Sequence, residues 1–273
     1  MPIIRTESDR VDNFPYSETI LVGYKALVCG ASKGIGRSTA MALALCGAKV
    51  VVCSRNEEEL KALVEELPGE GHDIMVMDLE NLEVLDGVIS DKLKQGPFHI
   101  LINNSAGPPG GPLIDNKIQD FEAPFKRHLH ASHLLVQRCL HGMTSSGFGR
   151  IVNIISTSVK EPIPNIGLSN TLRGAMASWS KTLSRELPPC ITINNILPGF
   201  TDTERLASLA DSIHQKTGKS HDEINHQWMS QVPIQRLIHP DETGIAIAFL
   251  CLPSSGGIRG VSLAVDGGRL RSI

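Results

Sequence analysis

From residue 25 onward, short and continuously apolar runs alternate with segments whose apolar residues recur at helical spacing. The runs KALVCG (25–30), KVVVCS (49–54), DIMVMD (73–78), HILINN (99–104), RIVNII (150–155), ITINNI (191–196) and VSLAVD (261–266) predict buried strands. Helices are predicted from the glycine-rich turn after the first run to about Cys46, over EEELKALVEEL, and between the third and fourth runs. Further helices are predicted from about Lys117 to Met143, over 168–187, and over DETGIAIAFLCL. The stretch 168–187, LSNTLRGAMASWSKTLSREL, places Leu168, Leu172, Ala175, Met176, Trp179 and Leu183 on one stripe. Ser169 and Arg173 stand four apart on its shoulder and project from one turn.

Apolar strands joined by helices make a parallel α/β sheet covered on both faces. Right-handed crossovers wind it doubly and place ligands at the carboxyl ends of the strands. No Pro/Gly-rich linker and no internal repeat divides the chain, so one domain over 21–273 is expected, preceded by an N-terminal arm (1–20). The long polar segment 204–235 follows a strand end and suits a lid over a substrate.

Composition narrows the function classes. Of 273 residues, 41% are hydrophobic and 20% charged, enough apolar material for a sizeable core. A net charge of −3 gives no basic footprint, which argues against nucleic acid as a partner. No apolar run approaches a membrane span, and the opening MPIIRTESDRVDNFPYSETI has no apolar core of a signal peptide. A cytoplasmic protein is expected. Cys29, Cys46, Cys53, Cys139, Cys190 and Cys251 form no C-x-x-C pair and are read as reduced thiols. His128, His130 and His133 in HLHASH have no evident third ligand on one helical face, so no metal site is expected.

Candidate chemistry begins at LVCGASKGIGRSTA. Gly30, Gly34 and Gly36 follow the first strand and open a helix, where glycines permit a tight turn and let backbone approach a pyrophosphate. The second strand ends without the carboxylate that grips a ribose in NAD sites; the chain reads Ser54-Arg55 there, with Lys33 in the glycine turn. Two cations and no acid favour the 2′-phosphate of NADP(H). Asp78 at the end of the third strand either accepts from an adenine amino group or caps the next turn.

CGASKGIG, MVMDLEN, ILINNSAG, IVNIIS, SKTLSREL, NNILPGFTDT and LAVDGG stand in the order and spacing of the short-chain dehydrogenase/reductase superfamily. Over about residues 21–269 the chain resembles its 3-oxoacyl-carrier-protein-reductase-like branch. The resemblance implies a single-domain Rossmann fold with a seven-stranded sheet, a nicotinamide cofactor, a small-molecule carbonyl or alcohol substrate, and a homodimer or homotetramer. It assigns Gly30, Ser32, Lys33, Gly34, Ile35 and Gly36 to the phosphate turn, with Cys29 where threonine is usual. Ser54, Arg55, Asp78, Leu79 and Asn104 fall on the adenosine side, and Pro198, Gly199 and Thr203 on the segment that grips the carboxamide. Asn103 and Asn104 match the fourth-strand motif, but Ser105 and Ala106 replace its Ala-Gly; Asp266, Gly267 and Gly268 match a structural turn.

The resemblance fails at the chemistry. The family's catalytic serine matches Ser156, but its tyrosine and lysine fall on Ser169 and Arg173, and its helix asparagine on His128. The only tyrosines, Tyr16 and Tyr24, lie upstream of the cofactor turn. Reducing a ketone requires a proton at oxygen, and a missing general acid costs ~10²–10⁴ in rate, about 3–5 kcal/mol. Arg173 can still bind the nicotinamide ribose and hold charge beside a developing alkoxide. Three readings follow. The preferred one is an NADP(H)-dependent oxidoreductase in which Ser156 and Arg173 polarise the oxygen, with the proton from a histidine such as His128 or through Ser169. The others are an NADP(H)-binding subunit without turnover, and a dehydratase or isomerase on the same fold. Substrate walls are expected in 107–116 and 157–167, where Lys160 either meets an anion or is a loop lysine. Trp228, Met229 and Val232 serve either a mobile cover or helical core.

Overall fold

The structure is a computed structural model and describes residues 14–272. Residues 1–13 of the expected arm therefore lie outside the described residues. The strands are β1 (Lys25–Cys29), β2 (Lys49–Ser54), β3 (Asp73–Val76), β4 (Ile100–Asn103), β5 (Gly149–Ile154), β6 (Ile191–Pro198) and β7 (Ser262–Val265). All pair in parallel, in the order β3-β2-β1-β4-β5-β6-β7. Each predicted run is a strand. β3 stops two residues early because Asp78 turns the chain, its Oδ1 accepting from the Glu80 N–H at 3.0 Å.

The helices are α1 (Gly34–Leu45), α2 (Glu57–Glu66), α3 (Leu82–Leu93), α4 (Glu122–Phe125), α5 (Ala131–Ser145), α6 (Gly167–Glu186), α7 (Glu204–Thr217), α8 (His221–Met229) and α9 (Pro240–Cys251). One apolar cluster joins one sheet face to α1, α2 and α9, through residues such as Val28, Val50, Leu43, Leu60 and Ile247. A second joins the other face to α3 and α5, through Leu27, Val51, Leu85, Ile89 and Leu135. These two layers bury the side chains of β1, β4, β5 and β6 on both faces almost completely, while the edge strands β3 and β7 stay partly exposed. The connection reverses direction between β1 and β4, so a crevice opens at their carboxyl ends.

One predicted helix is interrupted. Instead of a continuous run from Lys117 to Met143, the chain makes a 3₁₀ turn (Ile118–Phe121), α4, and a widened π turn (Lys126–His130) before α5. Pro124 sits in this break; it has no N–H to donate, and its ring crowds the turn before it. The π turn carries His128 inward, where it is 4% exposed.

A row of buried amides ties the sheet together near its carboxyl edge. Asn103 Nδ2 donates to Asn153 Oδ1 at 2.8 Å, Asn153 Nδ2 to Asn195 Oδ1 at 3.0 Å, and Asn195 Nδ2 to Ser262 Oγ at 3.1 Å. These residues are register partners from β4 to β7, so their side chains meet across each strand spacing. Asn153→Leu keeps the volume but orphans a donor on Asn103 and an acceptor on Asn195. At roughly 1–3 kcal/mol per stranded group, it should lower unfolding free energy by about 2–4 kcal/mol. Urea denaturation checks this as a lower midpoint at unchanged slope.

Candidate active site

The crevice is a cleft of 1710 Å³, lined from the glycine turn to the first turns of α6 and α7. Gly30 and Gly34 have φ of +58° and +54°, the left-handed region that side chains disfavour. A Cβ on Gly30 would lie 2.7 Å from Asn104 Nδ2, and one on Gly36 would overlap the Gly30 carbonyl. Gly36 thus lets α1 press against the end of β1, and Asn104 Nδ2 holds the Gly30 carbonyl at 3.0 Å. The α1 N-terminus has no side-chain cap and no acid in its first turn, leaving its amides free for an anion. Ser32, Lys33, Gly34 and Ile35 line the cleft there. The residues present therefore fit a dinucleotide's pyrophosphate.

At the adenosine end, Ser54, Arg55, Asp78, Leu79 and Asn104 all line the cleft. Arg55 is largely exposed and meets Asp78 only at 4.0 Å, so its guanidinium is available to a phosphate. Lys33 is committed elsewhere: its Nζ lies 3.1 Å from Glu59 and 3.0 Å from Glu204. Asp78 takes the turn-capping role described above, which leaves Oδ2 toward Arg55.

At the opposite end, Ser156, Ser169 and Arg173 line the same cleft, with Pro198, Gly199 and Thr203. Ser156 Oγ accepts from the Ser158 N–H at 3.0 Å, which leaves its own proton free to donate. Arg173 is 8% exposed; its Nη1 donates to the Ile154 carbonyl at 2.8 Å, and its Nε has no partner. Burial, then the Arg205 and Arg127 charges, push its pKa down to about 10, so it stays cationic at neutral pH. Thr203 caps α7 through its side chain and packs against Gly34.

Two of the residues expected at the cofactor and catalytic positions are not on the wall, and neither are Lys160, Met229 and Val232. Gly36 is packed behind it, as above. His128 is behind it too: Ser105 Oγ lies 2.8 Å from Nδ1, and the Ala106 carbonyl 3.0 Å from Nε2. A carbonyl only accepts, so the ring proton is on Nε2 and Nδ1 accepts from Ser105. Burial first, then the Arg173 and Arg127 charges, hold its pKa well below the usual imidazole range. The expectation that His128 could supply the proton is therefore corrected: it is neutral, enclosed, and bonded at both nitrogens. Tyr16 and Tyr24 pack on the α1/α9 side of the sheet, and neither lines the cleft.

Arg205, Arg127, Phe200 and Arg269 also line the cleft and were not singled out from the sequence. Arg127 pairs with Glu80 at 2.9 Å, and Arg269 bonds Thr157 Oγ1 at 3.0 Å. Arg205 stands two residues after Thr203 and belongs to no motif, so nothing in the sequence marks it. Segment 204–235 forms α7 and α8, which close on their own small core of Ala210, Ile224 and Trp228, with Phe200 stacked on Trp228 at 5.3 Å.

A family model described as Enoyl-(Acyl carrier protein) reductase matches residues 30–269. The chain is similar to NADPH-dependent reductase BacG of Bacillus subtilis (strain 168), 31% identical over 256 residues, covering 91% of this chain and 98% of that one. It is also similar to 3-oxoacyl-(acyl-carrier-protein) reductase FabG of Aquifex aeolicus (strain VF5), 30% identical over 260 residues, 92% and 99% of the two chains. A crystal structure of a single-residue variant of actinorhodin polyketide ketoreductase with NADPH superposes with a TM-score of 0.85 at 28% identity, covering 91% of this chain and 98% of that one.

The neutral state of His128 has a thermodynamic signature. Its folded pKa lies below the unfolded value of about 6.5, so on acidification the unfolded chain takes up a proton that the fold refuses. The contribution is complete above pH ~6.5 and is lost as pH falls from there toward the folded pKa. Thermal melts between pH 7.5 and pH 5 should show a steeper loss of Tm in the native chain than in His128→Asn.

Proposed function

From the premise that the chain belongs to the short-chain dehydrogenase/reductase family, we propose that it is an NADPH-dependent oxidoreductase reducing a small-molecule, 3-oxoacyl-like carbonyl to the alcohol with acid chemistry of its own. The observation that carries this reading is that Ser156, Ser169 and Arg173 share one cleft with the intact glycine turn. The α1 N-terminus with Ser32, Gly34 and Ile35 would hold the pyrophosphate, and Ser54 with Arg55 the 2′-phosphate. Pro198, Gly199 and Thr203 would hold the carboxamide, and Arg173 the ribose. When bound, the reduced nicotinamide supplies a hydride for the carbonyl carbon.

The chain's part is then played at oxygen. The free Ser156 proton and the Arg173 guanidinium stabilise negative charge as it develops there, inside a cleft that limits solvent. Arg173 keeps its proton at neutral pH and holds the developing charge, so the proton for the alkoxide would come through the Ser169 hydroxyl, which lines the same cleft. A homodimeric or homotetrameric assembly and a cytoplasmic location go with this reading, carried by the family resemblance.

A second reading, a dinucleotide-binding subunit without turnover, is favoured by one observation: no tyrosine among the described residues lines the cleft. One experiment separates them. NADPH and NADH are titrated by fluorescence, and ketones, 3-oxoacyl compounds and quinones are then scanned for loss of the reduced-nicotinamide absorbance. The proposal expects NADPH consumption with at least one carbonyl class; tight binding without turnover across the panel supports the subunit instead. Arg55→Gln should weaken NADPH binding ~10-fold or more and leave NADH nearly unaffected, as removal of a charge-assisted phosphate contact does. Equal losses for both cofactors would remove Arg55 from the 2′-phosphate site.

A further inference from the structure

Gly107, in the loop after β4, is approached by two guanidiniums from different helices. A Cβ at Gly107 would lie 3.6 Å from Arg173 Nη2 on α6 and 3.9 Å from Arg205 Nη2 on α7. Arg37, Arg127 and Arg138 face Glu66, Glu80 and Asp86. Among the described residues, no carboxylate is within ion-pair distance of Arg173 or Arg205. Their bonds go to neutral carbonyls: Arg173 Nη1 to Ile154 at 2.8 Å, and Arg205 Nη2 to Pro108 at 2.8 Å. The Arg173 Nε is buried without a partner. Two like charges are thus held beside one unfilled position, and an anion there would relieve their repulsion and take up their spare donors.

We infer that Arg173 and Arg205 together bind a carboxylate of the substrate across Gly107, so that the carbonyl reduced is that of a free 2- or 3-oxo acid. The inference rests on the reductase reading and specifies its substrate. Paired planar forks match a carboxylate's two oxygens. Ser156 and Arg173 line the same cleft, so a short oxo acid can present its carbonyl oxygen to one and its carboxylate to the other. The pyrophosphate does not compete for this place, since the uncapped α1 N-terminus receives it. Gly107 matters because a side chain there would occupy the anion's space.

Phenylpyruvate and acetoacetate, each against its methyl ester, are titrated calorimetrically into the full chain with and without NADPH, whose own binding is measured in parallel. Each acid should bind at least ~10-fold more tightly than its ester, the scale of one charged hydrogen bond. Arg205→Met should abolish that difference, Arg205→Lys should restore part of it, and Gly107→Val should abolish it with both charges in place. Circular dichroism melts verify that each variant is folded. Equal affinity for acid and ester, or a preference that survives Arg205→Met, overturns the inference. Absence of NADPH binding would instead sink the reductase reading, and the titrations without cofactor would still decide the carboxylate clamp.

Discussion

The carboxyl edge of the sheet depends on a seam between β1 and β4 that has no room for a side chain. Gly36 brings α1 against the Gly30 carbonyl, and Asn104 reaches across from the end of β4 to hold that same carbonyl. Were either glycine replaced, α1 would have to retreat from β1, and its free amides would no longer face the crevice. The amide row from Asn103 to Ser262 extends this constraint across four strands. The Ile154 carbonyl that receives Arg173 is therefore fixed relative to the glycine turn. Cofactor end and chemical end are two parts of one rigid edge.

That rigidity explains what an arginine does where the family resemblance expects a lysine. The position is almost closed to solvent and lies near the charges of Arg127 and Arg205. An ammonium starts from a pKa near ~10.4, and the same burial and repulsion would draw it toward neutrality at working pH. A guanidinium starts higher and retains its charge after the same penalty. Arg173 thus keeps its charge beside Arg205 and Arg127, where a lysine would be drawn further toward neutrality.

Much of this was legible in the sequence, for identifiable reasons. All seven strands were readable because a sheet covered on both faces demands unbroken apolar runs, and few other segments meet that demand. Ser156, Ser169 and Arg173 were assigned through the family resemblance, and all three line the cleft. What escaped was pairwise and long-range. Ser105 and His128 were read as two separate departures from the family pattern; in the structure they are one hydrogen bond between a loop and a π turn. The π turn was invisible because Pro124 marks a break without specifying how the chain continues after it. Lys33 was read as a free cation because Glu204, one of its two partners, lies far along the chain. Arg205 carried no motif, and its meaning comes only from facing Arg173 across Gly107.

Segment 204–235 packs against itself and against the neighbouring turns of the cleft. α7 and α8 share an apolar core with Phe200, so they behave as one body and not as a loop. Its polar ties to the rest of the cleft include Lys33 to Glu204 and Arg205 to the Pro108 carbonyl, and Val232, Pro233 and Ile234 at its end pack on the Gly267–Gly268 turn. The first is well exposed on both sides, where water and salt screen an ion pair. The second uses a backbone acceptor that water can equally satisfy. Residues 204 and 205 carry both ties, one toward the glycine turn and the other toward Gly107. The first turn of α7 therefore touches both ends of the cleft.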